Sequence, residues 1–125
     1  MSPQRLQLSR REGWRLPAQA RSVARPGRWG NPHRIIKDTS REQPQWVVAS
    51  GRNTEHGRYP TIDQARAKAV ELYREWATQR RAVIRAARTE LGGRDLACWC
   101  PIGAPCHAEV LLHLANPDAA NPGPS

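Results

Sequence analysis

The residues of this chain with the greatest capacity for chemistry are three cysteines and a histidine near the C-terminus. They lie in segment 98–107, which reads CWCPIGAPCH and contains every cysteine of the chain. Thiolate sulfur and imidazole nitrogen are ligands of zinc, and a thiolate is also a nucleophile. This concentration of sulfur indicates a site formed by Cys98, Cys100, Cys106 and His107.

Three hypotheses account for this cluster. In the first, the four side chains bind zinc, although the C-x-C spacing departs from the usual C-x2-C knuckle and two of the ligands would be adjacent in the chain. In the second, Cys106 is a catalytic nucleophile assisted by His107 or Cys100, and no metal is needed. In the third, the cysteines are small buried core residues. The sequence leaves the three open, and we favour a metal-free Cys106 with Cys98 and Cys100 structural.

A second group of candidate residues lies in segment 25–32, which reads RPGRWGNP. Two glycines, two prolines and an asparagine predict a sharply turned loop. Glycine lets backbone N–H groups approach a phosphate, arginine binds phosphate bidentately, and an indole stacks on a base. The predicted ligand-binding residues are Arg25, Arg28, Trp29, Gly30 and Asn31. The alternative is a rigid loop in which Trp29 closes the edge of the core.

The elements on either side of the cysteines decide how these are positioned. Leu96–Cys100 is predicted to be a buried strand, whose alternation places Cys98 and Cys100 on one face and the tryptophan between them on the other. Cys106–Ala115 has helical spacing. Cys106 would then lie at a helix N-terminus, where free N–H groups and the helix dipole lower the pKa of a thiol.

The remaining periodicity predicts a small single-domain α/β fold, a sheet with helices packed on it. A capping box that begins at Thr61, followed by apolar residues at spacings of three and four, predicts a helix over Ile62–Arg80. Tyr73 and Trp76 on its apolar face are predicted to lie in the core. Further strands are predicted at 22–24, 35–36 and 45–49, a hairpin turn at 50–53, and a helix over 83–91.

Length and composition limit the class of protein. The 125 residues predict one domain over 6–116, with flexible termini at 1–5 and 117–125. Neither a membrane-spanning apolar run nor a signal-peptide segment is expected. The odd number of cysteines, and a C-x-C spacing that would strain a disulfide, favour a reducing cytoplasm.

The charge of the chain favours anionic partners. The formal net charge is +9, which attracts nucleic acid, a nucleotide or an acidic protein. Only Lys37 and Lys68 among the 20 basic residues are lysine, so most of the positive groups are guanidinium forks that fit phosphate. A composition rich in Ala, Arg, Gly and Pro is also typical of GC-rich coding, so charge alone does not establish phosphate binding.

Several of these motifs together resemble a known family. The segments RWGNP, LYREW, GRDLACWC and PCHAEVLL, which begin at residues 28, 72, 93 and 105, are similar to the domain-of-unknown-function family 4326. The resemblance covers nearly the whole chain. It implies a small protein of bacteria, notably actinobacteria, and of their phages, with the glycine-rich loop close to the Cys-His pair. It implies no particular activity.

Three function classes follow from these observations. As a binding module, the protein would hold nucleic acid or a nucleotide phosphate between loop 25–31 and the N-terminus of the Cys106 helix. As an enzyme, dependent on Cys106 or on zinc, it would act on such a ligand, with His107, or the more distant His113, moving protons and Arg28 holding charge. As a phage-type protein, it would bind an acidic host protein. We expect the binding module.

Overall fold

The computed structural model of the chain describes residues 3–117. Across these residues the chain forms two three-stranded sheets and three α-helices. In chain order the elements are β1 (Arg5–Gln7), β2 (Ala20–Ser22), β3 (Arg34–Asp38), β4 (Gln45–Ser50), β5 (Thr54–Tyr59), α1 (Ile62–Thr78), α2 (Arg81–Leu91), β6 (Asp95–Cys98) and α3 (His107–Ala115). The predicted α/β fold class is confirmed.

The first sheet is parallel, with the strand order β1-β6-β2. Its central strand β6 contributes Leu96 and Ala97, which are fully buried between the flanking strands and the helices. Because the three strands run in the same direction, their carboxyl ends at Gln7, Ser22 and Cys98 lie at one edge of the sheet. Ligands of parallel sheets bind outside that edge.

The second sheet is antiparallel, with the strand order β3-β4-β5. The hairpin between β4 and β5 turns through Gly51 and Asn53, whose φ angles of 57° and 73° are left-handed. The predicted hairpin turn at 50–53 is therefore confirmed. The sequence did not predict β5, because its residues, TEHGRY, carry little apolar character and its pairing with β4 holds it in the sheet.

Helix α1 contributes to both cores of the molecule. Ala65 and Ala69 pack with Val48 of the antiparallel sheet. Further along the helix, Tyr73 and Ala77 are buried in a second cluster with residues of β6, α2 and α3. The helix therefore holds the two sheets in a fixed arrangement around the carboxyl edge of the parallel sheet.

The local helix signals form as the sequence predicts. The Oγ1 atom of Thr61 accepts a hydrogen bond from the backbone N–H of Gln64 at 3.2 Å, which caps α1. Helix α2 ends at Leu91, Gly92 is its C-cap, and the next residue, Gly93, takes a left-handed φ of 74°. None of the helices within residues 3–117 is long and apolar enough to cross a membrane.

The bounds of two elements near the site differ from the prediction. The strand predicted over Leu96–Cys100 spans Asp95–Cys98, because the chain turns at Trp99 ahead of Pro101, which has no N–H for strand pairing. The strand predicted at 22–24 spans Ala20–Ser22, since it pairs with β6 from Asp95 onwards.

Two predictions about exposure also differ from the structure. Arg5, predicted to lie in a flexible terminus, belongs to β1 and pairs with Leu96 of β6. Trp76, predicted to lie in the core, is 39% exposed, and the guanidinium carbon of Arg80 lies 5.2 Å from its ring centre. Apart from Pro117, the tail predicted to be flexible lies outside the described residues.

Candidate functional site

Three sulfur atoms meet where β6 ends and α3 begins. Cys98 is the last residue of β6, Cys100 lies in the following turn, and Cys106 is the N-cap of α3. Their Sγ atoms all lie within 4.8 Å of one another, and those of Cys98 and Cys100 are 4.0 Å apart. The structure thus brings together the three cysteines of the predicted site, with Cys98 and Cys106 buried and Cys100 partly buried.

The turn between β6 and α3 makes this convergence possible. The backbone N–H of Ala104 donates to the carbonyl of Pro101 at 3.1 Å, and Gly103 reverses the chain with a left-handed φ of 91°. Trp99, between the two neighbouring cysteines, is 44% exposed. The N-terminus of α3 therefore returns to the end of β6 and carries Cys106 to the other two thiols.

The imidazole of His107 lies next to the sulfurs in a fixed orientation. Its Nε2 is 2.7 Å from the carbonyl oxygen of Val23, which can only accept, so Nε2 carries the proton. This tautomer leaves Nδ1 with a free lone pair, 3.9 Å from the Sγ of Cys106. The ring also packs edge-on against Tyr73 at 5.1 Å between centres. His107 is 5% exposed and is held on two sides.

The guanidinium of Arg5 lies against the same cluster, a contact that the sequence did not predict. Its Nη2 donates to the carbonyl of Cys100. Its Nε and Nη1 atoms are buried and make no hydrogen bond of normal geometry within residues 3–117. Burial lowers the pKa of Arg5, but attraction to Cys106 and Cys100 outweighs that effect and leaves the pKa above its ordinary value.

The pKa values of the three thiols are shifted in different directions. Hydrogen bonds from the thiols of Cys100 and Cys98, together with one from the backbone N–H of Ala108, outweigh the effect of burial and hold the pKa of Cys106 far below its ordinary value. Interaction with Cys106 raises the pKa of Cys100 well above its ordinary value. Cys100 lowers the pKa of Cys98, but Cys106 and burial outweigh it, so that this pKa is also raised. These opposite shifts favour Cys106 as the first of the three thiols to lose its proton.

A cleft of about 490 Å³ opens beside the thiols. It lies at the carboxyl edge of the parallel sheet, lined by Arg10 after β1, by Arg25 after β2 and by segment 98–101 after β6. The opposite wall is formed by α1 and by the start of the antiparallel sheet, including His33, whose pKa is lowered by burial and by His56. Cys106 and His107 line the same cleft, so that the sulfur cluster faces it.

Three arginines from separate elements line this cleft. The guanidinium carbon of Arg10 lies 4.7 Å from the ring centre of Trp99. Arg25 is exposed at the start of the glycine-rich loop, and Arg66 extends from the first turns of α1, where it pairs with Asp63 at 2.9 Å. No carboxylate lines the cleft within residues 3–117. Sequence reasoning missed Arg10 and Arg66 because each of them is one arginine among many with no distinctive neighbours.

Only part of the predicted ligand-binding loop lines the cleft. Arg25 and Asn31 line the cleft, but the side chain of Asn31 is engaged in holding the loop to α1. Its Nδ2 donates to the carbonyl of Ala69 at 3.0 Å, and its Oδ1 accepts from the backbone N–H and from Nδ1 of His33. A Cβ on Gly30 would lie 2.8 Å from the Cα of Arg25, so this glycine permits the close approach of the two ends of the loop.

The other three residues of the predicted set, Arg28, Trp29 and Gly30, do not line the cleft. Arg28 pairs with Glu90 of α2 at 2.6 Å, and its guanidinium carbon lies 4.9 Å from the ring centre of Trp29. Trp29 packs against the core, and its carbonyl accepts a hydrogen bond from Tyr73 Oη at 3.0 Å. His113 is exposed in the last turn of α3 and does not line the cleft either.

Fold and site together define a class: a small α/β protein with an arginine-lined cleft beside a cluster of three thiols. The family model for the domain of unknown function 4326 (DUF4326) matches residues 6–117. The chain therefore belongs to this family, and the resemblance predicted from the motifs is confirmed. No curated protein and no solved structure matches the chain.

Proposed function

We propose that the cleft binds the phosphate group of a nucleotide, either free or within a single strand of nucleic acid. The observation that carries this proposal is the convergence of Arg10, Arg25 and Arg66 on a cleft whose lining within residues 3–117 contains no carboxylate. Guanidinium groups pair with phosphate oxygens through two parallel N–H···O bonds. The positive wall attracts an anion, and the carboxylate of Asp63, which pairs with Arg66 at 2.9 Å, lies outside the lining of the cleft.

The position of the cleft supports the same proposal. It lies outside the carboxyl edge of a parallel sheet, between β6 and its two neighbours, where open α/β sheets bind their ligands. Each strand of this sheet is followed by a segment that lines the cleft, so the pairing of β1, β2 and β6 brings Arg10, Arg25 and the cysteines to the same edge.

The size and apolar surface of the cleft favour a nucleotide over a smaller anion. Its volume of about 490 Å³ lies within the range of about 300–1,000 Å³ that is typical of small-molecule sites. Ile35, Ile62 and Trp99 add apolar surface beside the arginines. A base can stack on an indole or on a guanidinium plane, and Trp99 with Arg10 presents both.

Calorimetric titration of the full chain tests the proposal. The ligands are ATP, AMP, adenosine without phosphate, and a single-stranded oligonucleotide. We expect the phosphorylated ligands to bind, adenosine to bind at least tenfold more weakly, and the affinity to fall as salt rises. Binding of mononucleotides as well as the strand identifies a free nucleotide as a ligand, and binding of the strand alone identifies nucleic acid.

Two substitutions in the same loop distinguish binding in the cleft from nonspecific attraction to the positive charge of the protein. Arg25→Ala should weaken binding about tenfold or more, because a hydrogen bond to a charged group contributes about 1.5–3 kcal/mol. Arg28→Ala removes the same charge outside the cleft, and should change affinity less than about twofold, which corresponds to roughly 0.4 kcal/mol. Equal losses from both changes, or ligand binding that depends on neither, would refute a phosphate site in this cleft.

A further inference from the structure

We infer that Cys98, Cys100 and Cys106 form a binding site for zinc, with three sulfur ligands and a fourth coordination position that faces the cleft. The inference concerns the metal alone and does not depend on nucleotide binding. It also differs from the metal-free Cys106 that the sequence favours, because only the structure shows how closely the three sulfurs converge.

The distances between the sulfurs fit a tetrahedral zinc site. Zinc binds thiolate sulfur at about 2.3 Å, so that two sulfur ligands in tetrahedral geometry lie about 3.8 Å apart. The Sγ atoms of Cys98 and Cys100 are 4.0 Å apart, and all three sulfurs lie within 4.8 Å of one another. Small side-chain rotations are enough to close this difference. A disulfide would require a sulfur separation of about 2.05 Å.

Arg5 supplies the charge that such a site needs. Three thiolates and one Zn²⁺ together carry one net negative charge, and a buried charge is costly unless it is paired. The guanidinium of Arg5 lies against the cluster with its buried Nε and Nη1 atoms lacking a hydrogen-bond partner within residues 3–117. Zinc-bound thiolates are acceptors that would satisfy these N–H groups. The cluster with its metal and Arg5 is then electrically neutral.

The fourth position is assigned to the cleft because the Nδ1 of His107 lies outside the group of converging donor atoms, whereas the cleft opens beside the sulfurs. The donor atoms that lie within 4.8 Å of one another are the three sulfurs. The Nδ1 of His107 lies 3.9 Å from the Sγ of Cys106 but does not belong to this group, and the contacts of the ring with Val23 and Tyr73 hold it in that position. Three protein ligands with an open fourth position are the arrangement of reactive zinc sites, whereas structural sites have four.

The metal itself is the probe in the first experiment. The reduced, metal-free full chain is titrated with Zn²⁺ in competition with a chromophoric chelator, and with Co²⁺, whose thiolate charge-transfer absorption reports the sulfur ligands. We expect one ion per chain, a sulfur-rich tetrahedral cobalt spectrum, and protection of all three thiols from alkylation when zinc is bound. A folded, reduced chain that takes up no zinc would overturn the inference.

Variants then assign the ligands. Cys98→Ser, Cys100→Ser and Cys106→Ser should each lower zinc affinity more than roughly 100-fold, beyond the 10- to 100-fold range of changes to groups that only support a ligand. Arg5→Gln should fall within that lower range. His107→Gln should retain one ion per chain with an unchanged cobalt spectrum, and a loss of binding there would overturn the open fourth position.

The control is a variant that lacks a potential metal-binding side chain located far from the cluster. His113→Ala leaves the three sulfurs intact, because His113 is exposed at the far end of α3, and it should bind zinc as the wild type does. Loss of zinc in this variant, with retention in the cysteine variants, would identify adventitious surface binding and refute the site. If circular dichroism shows that a cysteine variant does not fold, the number of thiols that zinc protects from alkylation in the wild type still gives the number of sulfur ligands.

Discussion

Replacing Asn31 by alanine tests whether one buried side chain holds the cleft together. Asn31 is 8% exposed and makes three hydrogen bonds. One goes to the carbonyl of Ala69 in α1, and two come from the backbone and the ring of His33 at 3.0 and 2.9 Å. The substitution therefore separates the loop before β3 from the helix that forms the opposite wall.

The expected cost follows from these three bonds. Each contributes about 1 kcal/mol net, which sets an upper limit of about 3 kcal/mol. His33 and Ala69 both line the cleft, so water replaces part of what is lost when the Asn31 side chain is removed. We therefore expect Asn31→Ala to lower the free energy of unfolding by about 2 kcal/mol, and the melting temperature by roughly 8 °C.

Urea unfolding followed by circular dichroism measures this change. Gln43→Ala is the matched control, because it also removes an amide but from an exposed position between β3 and β4. It should stay within about 0.5 kcal/mol of the wild type. Asn31→Leu, which keeps the branched shape of the side chain and removes its polar atoms, should be destabilised at least as much as Asn31→Ala. If Asn31→Ala is as stable as Gln43→Ala, the loop is not held by this side chain and the reasoning is refuted.

Two further predictions concern single contacts. Tyr73→Phe removes the hydrogen bond to the Trp29 carbonyl, which is 3.0 Å long, and should lower the free energy of unfolding by about 1–2 kcal/mol; an unchanged urea midpoint would contradict this. Hydrogen bonds from Ser40 and Arg58 hold the pKa of Asp38 below its ordinary value. The ionised carboxylate of Asp38 therefore stabilises the folded protein fully above about pH 4, and this contribution is lost as pH falls through the folded-state pKa. Asp38→Asn should therefore lower the melting temperature at pH 7, with a difference from wild type that shrinks at lower pH, and a difference independent of pH would exclude this linkage.

The sequence alone determined the features that depend on neighbouring residues. The capping box at Thr61, the hairpin turn at 50–53 and the helix after Cys106 are local patterns, since caps, turns and periodicity act over a few residues. The motif pattern likewise indicated the family. The cysteine cluster was found because its members are close in the chain and the turn between them is short.

Only the tertiary structure decided which residues share the cleft. Arg5 lies beside the thiols because β1 pairs with β6, which is distant from it in sequence. Arg10, a few residues after β1, consequently lies at the carboxyl edge of the parallel sheet. Arg28 and Trp29 lie next to Arg25 in sequence, yet the tight loop turns them toward α2 and the core. No local pattern encodes these outcomes, because strand order and loop direction are set by pairings between distant segments and by the burial they make possible.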